Sequence, residues 1–323
     1  MGSRGSSSAH ESDCRNRSLR HAKRILRTET IIVKVGFIGL GRMGQAIAKR
    51  ILDGGFELVV YNRTRSKADE LEKAGARVAE SVAEAAAGRD VVITMLTDDA
   101  ALREVIDNGL LESLPEGAIH VPMGTHSVVT LTELETAHKE AGRVLVACPV
   151  LGRPDAVVAG QLGLVPAGPQ DAVAGLQPLF DVIGRRAFNA GSNPAGASAV
   201  KLANNMVLGC AIEAMAEGFA LTRKFGVDPT VFNEVLTEGL FSAPSYKAYG
   251  GIISTESYDN VGFTVWLGLK DANLALAAGQ AASVPLPSCN VYRDRLLGAI
   301  AHGDGDRDWS VIAREQARAS GLE

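Results

Sequence analysis

The chain has 323 residues, of which 46% are hydrophobic and 22% charged, and its formal net charge is −4. This length is enough for two domains with buried cores, and the slightly acidic balance gives no electrostatic reason to expect nucleic acid or an anionic membrane as a partner. Small-molecule chemistry is therefore favoured. The chain contains no run of about 20 apolar residues, so no membrane-spanning helix is predicted.

Four cysteines, Cys14, Cys148, Cys210 and Cys289, are scattered along the chain without the C-x-x-C spacing of zinc sites. We therefore expect no disulfide framework, no metal site and a cytoplasmic location. Residues 1–30 are rich in Ser and Arg and poor in aliphatic residues, which predicts a disordered tail. Three interpretations of this tail stay open: a transit peptide, a plain extension, or a start codon assigned too early.

From Ile31 onward, β-branched runs alternate with amphipathic segments. IIVKVGFIG predicts a strand, RMGQAIAKRILDGG a helix and FELVVYN a second strand. The alternation continues through DVVITML, AIHVPM and RVLVACPV, with helical segments between them. Such alternation predicts a parallel sheet covered by helices on both faces, the doubly wound Rossmann arrangement of the α/β class.

The character of the chain changes near Asn193. Pro194 can open a helix, and the pattern then continues without a breaker for some thirty residues, to Gly226. Only helical patterns follow. We therefore predict a cofactor-binding domain over residues 31–192 and an all-α substrate and oligomerisation domain over residues 193–323, joined by a long interdomain helix, with the active site between them.

A glycine motif lies at the first junction of strand and helix. In a βαβ unit, G-x-G-x-x-G at this place is typical of dinucleotide binding, because the glycines permit a tight turn and the approach of a diphosphate to the helix N-terminus. The predicted cofactor contacts in the motif are Gly39, Leu40, Gly41, Arg42, Met43 and Gly44.

The end of the second predicted strand favours NADP over NAD. NAD-binding chains place a carboxylate here to accept from the ribose 2′-hydroxyl, whereas cations suit the 2′-phosphate of NADP. This chain reads YNRTRSK and has no carboxylate, so we expect NADP(H), with NAD as the alternative. The predicted contacts are Asn62, Arg63, Thr64 and Lys67, and Arg65 offers a further charge.

One lysine stands alone in the long predicted helix. Lys201 is the only fully charged residue between Arg186 and Glu213. Because burying an unpaired ammonium is costly, such a lysine either extends its amine to solvent or is kept for chemistry. Asn205 lies on the same helix face as Lys201, where its amide can bond either the amine or the substrate, so both residues are predicted to be catalytic. Desolvation and an oxidised nicotinamide would lower the lysine pKa from about 10.4 toward about 7–8, which suits a general acid/base.

The motifs GFIGLGRMG, YNRT, MGTHS, CPVLG, AGQLGLVPAG, VKLANN and LKDANLA, in this order, resemble those of the β-hydroxyacid dehydrogenases. The resemblance runs from about residue 33 to the C-terminus. It implies an NAD(P)-linked oxidoreductase acting on a small hydroxy acid or alcohol, Lys201 as general acid/base, substrate contacts from Asn205, a cofactor-side role for Lys270, and homodimers or homotetramers joined through the helical domain. Further expected cofactor contacts are Met95, Leu96, Thr97 and Thr125.

Two departures from the family pattern concern the substrate. The family reads D-A-P-V-S-G-G where this chain has ACPVLGR, so Leu151 replaces a serine that helps to hold a carboxylate. Arg153 replaces a glycine, and it either restores carboxylate binding or faces solvent. The family loop S-T-I-S-P reads GTHSV here, and its His126 either approaches the nicotinamide or is structural. The expected substrate contacts are Ser127, Leu151, Gly152, Arg153, Lys201 and Asn205.

Two rival functions share this architecture. Imine reductases resemble the chain where its pocket is apolar, but they generally carry Asp or Tyr at the lysine position. Non-catalytic NADP-binding regulators occur among relatives that lost the lysine. Retention of Lys201 argues against both.

Overall fold

The computed structural model describes residues 33–322, so the predictions made for residues 1–30 lie outside the described residues. The chain divides into two compact units, the first ending at Lys201 and the second beginning at Leu202. This division falls inside one continuous helix. The predicted boundary at residue 192 lies two residues before that helix begins.

A parallel sheet of six strands forms the centre of the first unit. Its strands are β1 (Lys34–Ile38), β2 (Glu57–Tyr61), β3 (Arg77–Val78), β4 (Val91–Thr94), β5 (Ile119–Pro122) and β6 (Val144–Leu145). They lie in the order β3-β2-β1-β4-β5-β6, and the register pairs Phe37 of β1 with Val60 on one side and with Ile93 on the other. The central strands β1, β4 and β5 are buried except at Lys34, because both faces of the sheet are covered.

Helices follow the strands and cover both faces of this sheet. They are α1 (Arg42–Asp53), α2 (Asp69–Lys73), α3 (Val82–Ala86), α4 (Asp99–Val105), α5 (Leu111–Ser113) and α6 (Val128–Glu140), with a 3-10 turn at Arg65–Ala68 and a π-helical segment at Ile106–Leu110. Ile47 of α1 packs with Val60 in one buried cluster, and Val82 of α3 packs with Val59 in another. Strand order and coverage confirm the predicted Rossmann fold.

A second, small sheet follows, which the sequence did not predict. It contains β7 (Val150–Leu151), β8 (Gly163–Leu164) and β9 (Arg186–Ala187), and the helices around it are α7 (Pro154–Val158), α8 (Gln170–Gly175) and α9 (Gln177–Ile183). β7 is antiparallel to β8, and β8 is parallel to β9. Strands of two residues are too short to show alternation, so no periodicity marks them in the sequence.

The long helix α10 (Pro194–Lys224) leads into the second unit, whose described residues form helices and the loops between them. These are α11 (Pro229–Glu238), α12 (Pro244–Ser254), α13 (Val265–Ala281), α14 (Pro287–Ala301) and α15 (Ile312–Ala319), with a 3-10 turn at Trp309–Val311. They enclose one core, in which Ile212, Tyr292 and Trp309 are buried. Asp228 and Thr264 cap α11 and α13 by accepting backbone N–H groups, as helix starts require.

Within residues 33–322, no helix is both long enough and apolar enough to cross a membrane. No cluster of three or more His, Cys, Asp or Glu side chains that could hold a metal ion is found in that range. Its three cysteines, Cys148, Cys210 and Cys289, are free thiols.

Candidate active site

The junction of β1 and α1 is a tight turn made of glycines. Gly39 has a φ of 101°, a left-handed conformation that favours glycine. A Cβ atom at Gly44 would lie 2.0 Å from the Gly39 carbonyl oxygen, so the helix packs directly on the turn. At Gly41, by contrast, a Cβ would meet no atom of residues 33–322 within 4 Å. The turn is therefore closed toward the protein and open at Gly41, where the first N–H groups of α1 fit a diphosphate.

Asn62, directly after β2, fastens this turn to the neighbouring strand. Its Oδ1 accepts a hydrogen bond from the Leu40 N–H at 2.8 Å, and its Nδ2 donates to the Thr64 carbonyl oxygen at 3.0 Å. Both polar atoms of the Asn62 amide are thus hydrogen-bonded within the protein. Asn62 occupies the position at which NAD-binding chains carry a carboxylate, and this difference is why the sequence favours NADP.

The cations that follow Asn62 differ in their partners. Arg63 exposes 87% of its side chain. Its Nη1 lies 3.8 Å from Glu104 Oε2, which is beyond hydrogen-bond distance. Arg65 instead donates to two carboxylates of α2 at 3.0 and 2.7 Å. Lys67 and Arg42 line an open groove of about 650 Å³ between α1 and α2. Arg63 and Lys67 are therefore better placed than Arg65 to meet a phosphate.

The loops after β1, β4 and β5 meet at the carboxyl edge of the sheet. A Cβ at Gly39 would lie 2.4 Å from the Met95 carbonyl oxygen, and one at Gly124 would lie 2.4 Å from the Leu96 carbonyl oxygen. The structure thus brings the glycine turn together with two further segments predicted to contact the cofactor. This is the edge at which doubly wound sheets bind ligands. The remaining predicted residues on these segments are Thr97 and Thr125.

A buried histidine anchors the loop after β5. His126 exposes 1% of its surface, and its Nδ1 lies 3.3 Å from Asp99 Oδ1, which also accepts the Ser127 N–H at 3.0 Å. Although burial opposes ionisation, these hydrogen bonds hold the pKa of the Asp99 carboxyl well below its usual range. An imidazole that donates from Nδ1 presents Nε2 as an acceptor, and Nε2 has no hydrogen-bond partner among the described residues.

Helix α10 is tied to the same loop one turn before Lys201. The Ser198 hydroxyl donates to the His126 carbonyl oxygen, and Ser198 precedes Lys201 by three residues, so both lie on one side of the helix. Lys201 is half-buried. Ser127, a predicted substrate contact, uses its hydroxyl to cap α6: its Oγ accepts the Thr130 N–H at 3.0 Å and donates to Thr130 Oγ1 at 2.9 Å.

One turn after Lys201, Asn205 is held by a buried carboxylate of the second unit. Its Nδ2 donates to Asp271 Oδ2 at 2.6 Å, and its Oδ1 accepts from the Asn204 amide at 3.2 Å. The other Asp271 oxygen lies 3.1 Å from Lys270 Nζ. Asp271 therefore fixes which way the Asn205 amide points. Sequence reasoning passed over Asp271, although a carboxylate in the apolar stretch LKDANLA signals a buried partner.

The loop between β7 and α7 carries three predicted substrate residues. Leu151 packs against a buried cluster that includes Ala197, on the first turn of α10. Gly152 has a φ of 139°, which explains glycine there. Arg153 exposes 31% of its side chain, and its Nε is buried, 3.9 Å from an Asp155 oxygen, without a hydrogen bond to any described residue. The loop thus carries a weakly paired guanidinium two residues after a side chain that packs with the first turn of α10.

Two family models together match most of the described chain. Residues 34–191 match one described as the NAD binding domain of 6-phosphogluconate dehydrogenase. Residues 195–315 match another, described as the NAD-binding of NADP-dependent 3-hydroxyisobutyrate dehydrogenase. The matches follow one another in the order that the sequence motifs predict.

Relatives and a solved structure agree with these matches. The chain is 40% identical over 284 residues to the Bacillus subtilis protein named uncharacterized oxidoreductase YfjR, with 87% of this chain and 99% of the relative covered. It is 36% identical over 282 residues to glyoxylate/succinic semialdehyde reductase 1 of Arabidopsis thaliana, with 87% and 97% covered. The solved structure of Mycobacterium tuberculosis 3-hydroxyisobutyrate dehydrogenase with L-serine has the same fold, with a TM-score of 0.81, 24% identity, and 88% and 99% covered. The chain therefore belongs to the β-hydroxyacid dehydrogenase family and is an NAD(P)-dependent oxidoreductase acting on CH–OH groups.

Proposed function

We propose that the protein is an NADP(H)-dependent enzyme that interconverts a small hydroxy acid or alcohol with the corresponding aldehyde or ketone. The observation that carries this proposal is the bond from Ser198 to the His126 carbonyl, because it fastens the turn of α10 that bears Lys201 to the loop after β5. That loop adjoins the segment after β4, which in turn adjoins the glycine turn. A proton donor and a dinucleotide site are thus linked within one unit.

The choice of NADP rests on the residues that follow β2. Asn62 stands where NAD-binding chains carry a carboxylate, and Arg63 and Lys67 remain exposed beyond it. The description of the second family model, which names an NADP-dependent enzyme, favours the same cofactor. We expect NADH to bind more weakly, because it lacks the 2′-phosphate that these cations would contact.

The proposed chemistry divides hydride and proton between cofactor and protein. When bound, the nicotinamide supplies or accepts the hydride. Lys201 donates a proton from Nζ to the carbonyl oxygen during reduction and removes the hydroxyl proton during oxidation. Asn205, held by Asp271 in one orientation, directs its amide toward the substrate or the Lys201 amine, which lies one turn before it. The cofactor-side role of Lys270 stays a prediction.

We also propose that the protein is a homo-oligomer in which α10 packs against a second copy. Exposed apolar side chains recur along this helix at multiples of about seven residues, as in a helix–helix seam. These are Val200, Val207 and Leu221, with exposed fractions of 44%, 63% and 62%. An apolar stripe of this length on one helix is typical of an interface between chains.

The experiment that tests the proposed function is a substrate panel followed by NADPH or NADH absorbance. The panel contains glyoxylate, succinic semialdehyde and cyclic imines. Turnover of the aldehydes with NADPH, and slower turnover with NADH, is the expected result. Turnover of the cyclic imines alone would favour imine reduction instead. Binding of NADPH without turnover of any member would contradict the proposal.

A further inference from the structure

Arg63 and Glu104 form a long ion pair at the carboxyl edge of the parallel sheet. Arg63 Nη1 lies 3.8 Å from Glu104 Oε2, and the two side chains are 87% and 56% exposed. Ion pairs between exposed side chains stabilise a protein little, because water and salt screen both charges. The contact is therefore one that a more strongly charged anion can replace.

The strand order places this pair across the predicted dinucleotide site. Strand β1 lies between β2 and β4. Arg63 belongs to the loop after β2, and Glu104 belongs to α4, the helix after β4. Asn62, the residue before Arg63, bonds the Leu40 N–H of the glycine turn. The pair therefore joins the two elements that flank the end of β1, where doubly wound sheets receive a dinucleotide.

Arg63 differs from Arg65 in how firmly carboxylates hold it. Arg65 donates to Asp69 Oδ1 at 3.0 Å and to Glu72 Oε2 at 2.7 Å. The distance between Arg63 and Glu104, in contrast, is too long for a hydrogen bond. A phosphate group carries up to two charges and accepts two parallel hydrogen bonds from a guanidinium. Arg63 is thus the arginine that can leave its carboxylate for the 2′-phosphate of NADP.

We propose that Glu104 is a positioning residue that determines cofactor specificity: it competes with the 2′-phosphate of NADP for Arg63 and so weakens the binding of NADPH but not of NADH. This inference rests on the proposed function, in which NADP(H) is the preferred cofactor. NADH has a hydroxyl in place of the phosphate, so its binding does not require Arg63 to leave Glu104. Glu104 therefore limits the preference for NADPH that Arg63 and Lys67 create.

The first test is a fluorescence titration of NADPH and NADH with the wild type and two Glu104 variants. Because Glu104→Gln releases Arg63, we expect the NADPH Kd to fall about threefold, the scale of an exposed ion pair, and the NADH Kd to change by less than about 1.5-fold. Glu104→Lys adds a cation beside the phosphate and should bind NADPH about tenfold more tightly than the wild type. The matched control is Glu116→Gln, which makes the same change in net charge at an exposed residue before β5, at the opposite edge of the sheet.

Two further measurements test whether Glu104 acts through the charge of Arg63. In an Arg63→Met protein, Glu104→Gln should leave the NADPH Kd unchanged, because the group for which Glu104 competes is gone. In about 1 M salt the threefold gain of Glu104→Gln should shrink, since the Debye length falls to about 3 Å. A gain of the same size in the Arg63→Met protein, or in about 1 M salt, would overturn the proposal.

Cofactor fragments separate this proposal from the proposed function. Calorimetry compares the binding of 2′,5′-ADP and 5′-AMP, which differ only in the 2′-phosphate and carry no nicotinamide. Glu104→Gln should bind 2′,5′-ADP about threefold more tightly than the wild type does, and 5′-AMP equally well. Unchanged binding of 2′,5′-ADP, or equal gains for both fragments, would refute the role of Glu104. If the gain is specific to 2′,5′-ADP but no carbonyl compound is reduced, the proposed function fails and the role of Glu104 stands.

Discussion

Gly41→Ala and Gly44→Ala separate the cofactor role of the glycine turn from its structural role. Gly41 has φ −70° and ψ −174°, which alanine adopts readily, and an added Cβ would meet no atom of the described chain within 4 Å. The change therefore costs at most about 1 kcal/mol, the scale of losing a favourable N-cap residue. At Gly44 a Cβ would lie 2.0 Å from a backbone oxygen, so the helix must shift, at about 1–3 kcal/mol.

We expect Gly44→Ala to be the less stable variant in thermal unfolding, and Gly41→Ala to bind NADPH more weakly than the wild type in fluorescence titration. Thermal unfolding should leave Gly41→Ala within a few degrees of the wild type and lower the Tm of Gly44→Ala more, since about 1 kcal/mol corresponds to roughly 2–4 °C in a domain of this size. Fluorescence titration should show NADPH bound about 10- to 150-fold more weakly by Gly41→Ala. That range corresponds to the loss of one charge-assisted hydrogen bond, about 1.5–3 kcal/mol, when a methyl group meets the diphosphate.

Two results would refute this reasoning. If Gly41→Ala binds NADPH with wild-type affinity, the diphosphate does not approach the backbone at this turn. If Gly41→Ala unfolds as early as Gly44→Ala, the space beside Gly41 is not open in the folded protein.

Three further predictions concern stability and assembly. Burial lowers the pKa of His138 to about 4 and holds the pKa of the adjoining His120 well below its usual value, so the unfolded state takes up these protons first as the pH falls below about 6.5 and the folded state loses stability. Urea denaturation should show that His138→Gln, which keeps His120, loses about 3 kcal/mol less than the wild type between about pH 6.5 and 4. Asp99→Asn removes the charged acceptor of the His126 hydrogen bond, so the same assay should show the free energy of unfolding at pH 7 lowered by about 1–3 kcal/mol. An unchanged free energy of unfolding would show that this hydrogen bond does not stabilise the fold. Leu221→Glu places a charge in the proposed α10 seam and should reduce the mass in sedimentation velocity to that of the monomer, with exposed Thr132→Glu on α6 as control.

The sequence predicted those strands and helices whose hydrophobic residues form a clear pattern. Strands β1, β4 and β5 are buried β-branched runs, and α10 is a long apolar pattern opened by Pro194, so each was visible in one dimension. The small sheet of β7, β8 and β9 was missed because its strands have two residues each and β8 pairs with a strand more than twenty residues away. The predicted substrate residues Gly152 and Arg153 directly follow its first strand, β7.

In the candidate site, single residues with a motif were predictable and their partners were not. The glycine turn and Lys201 have local signals, namely a spacing and an isolated charge. The contact of His126 with Asp99 joins residues 27 apart, and that of Asn205 with Asp271 joins residues 66 apart. No periodicity encodes such pairings. A polar residue in an apolar segment indicates that a partner exists, but only the folded chain identifies it.

The most direct measurement of the central claim is kcat for NADPH-dependent aldehyde reduction by Lys201→Met, with the NADPH Kd measured on the same preparation. We expect kcat to fall at least about 100-fold, the usual effect of removing a proton-transfer group, while the NADPH Kd changes by less than about threefold. Lys224→Met, at the far end of the same helix, should retain wild-type kcat. A Lys201→Met enzyme with wild-type kcat would contradict the account, since the proton would then come from another group.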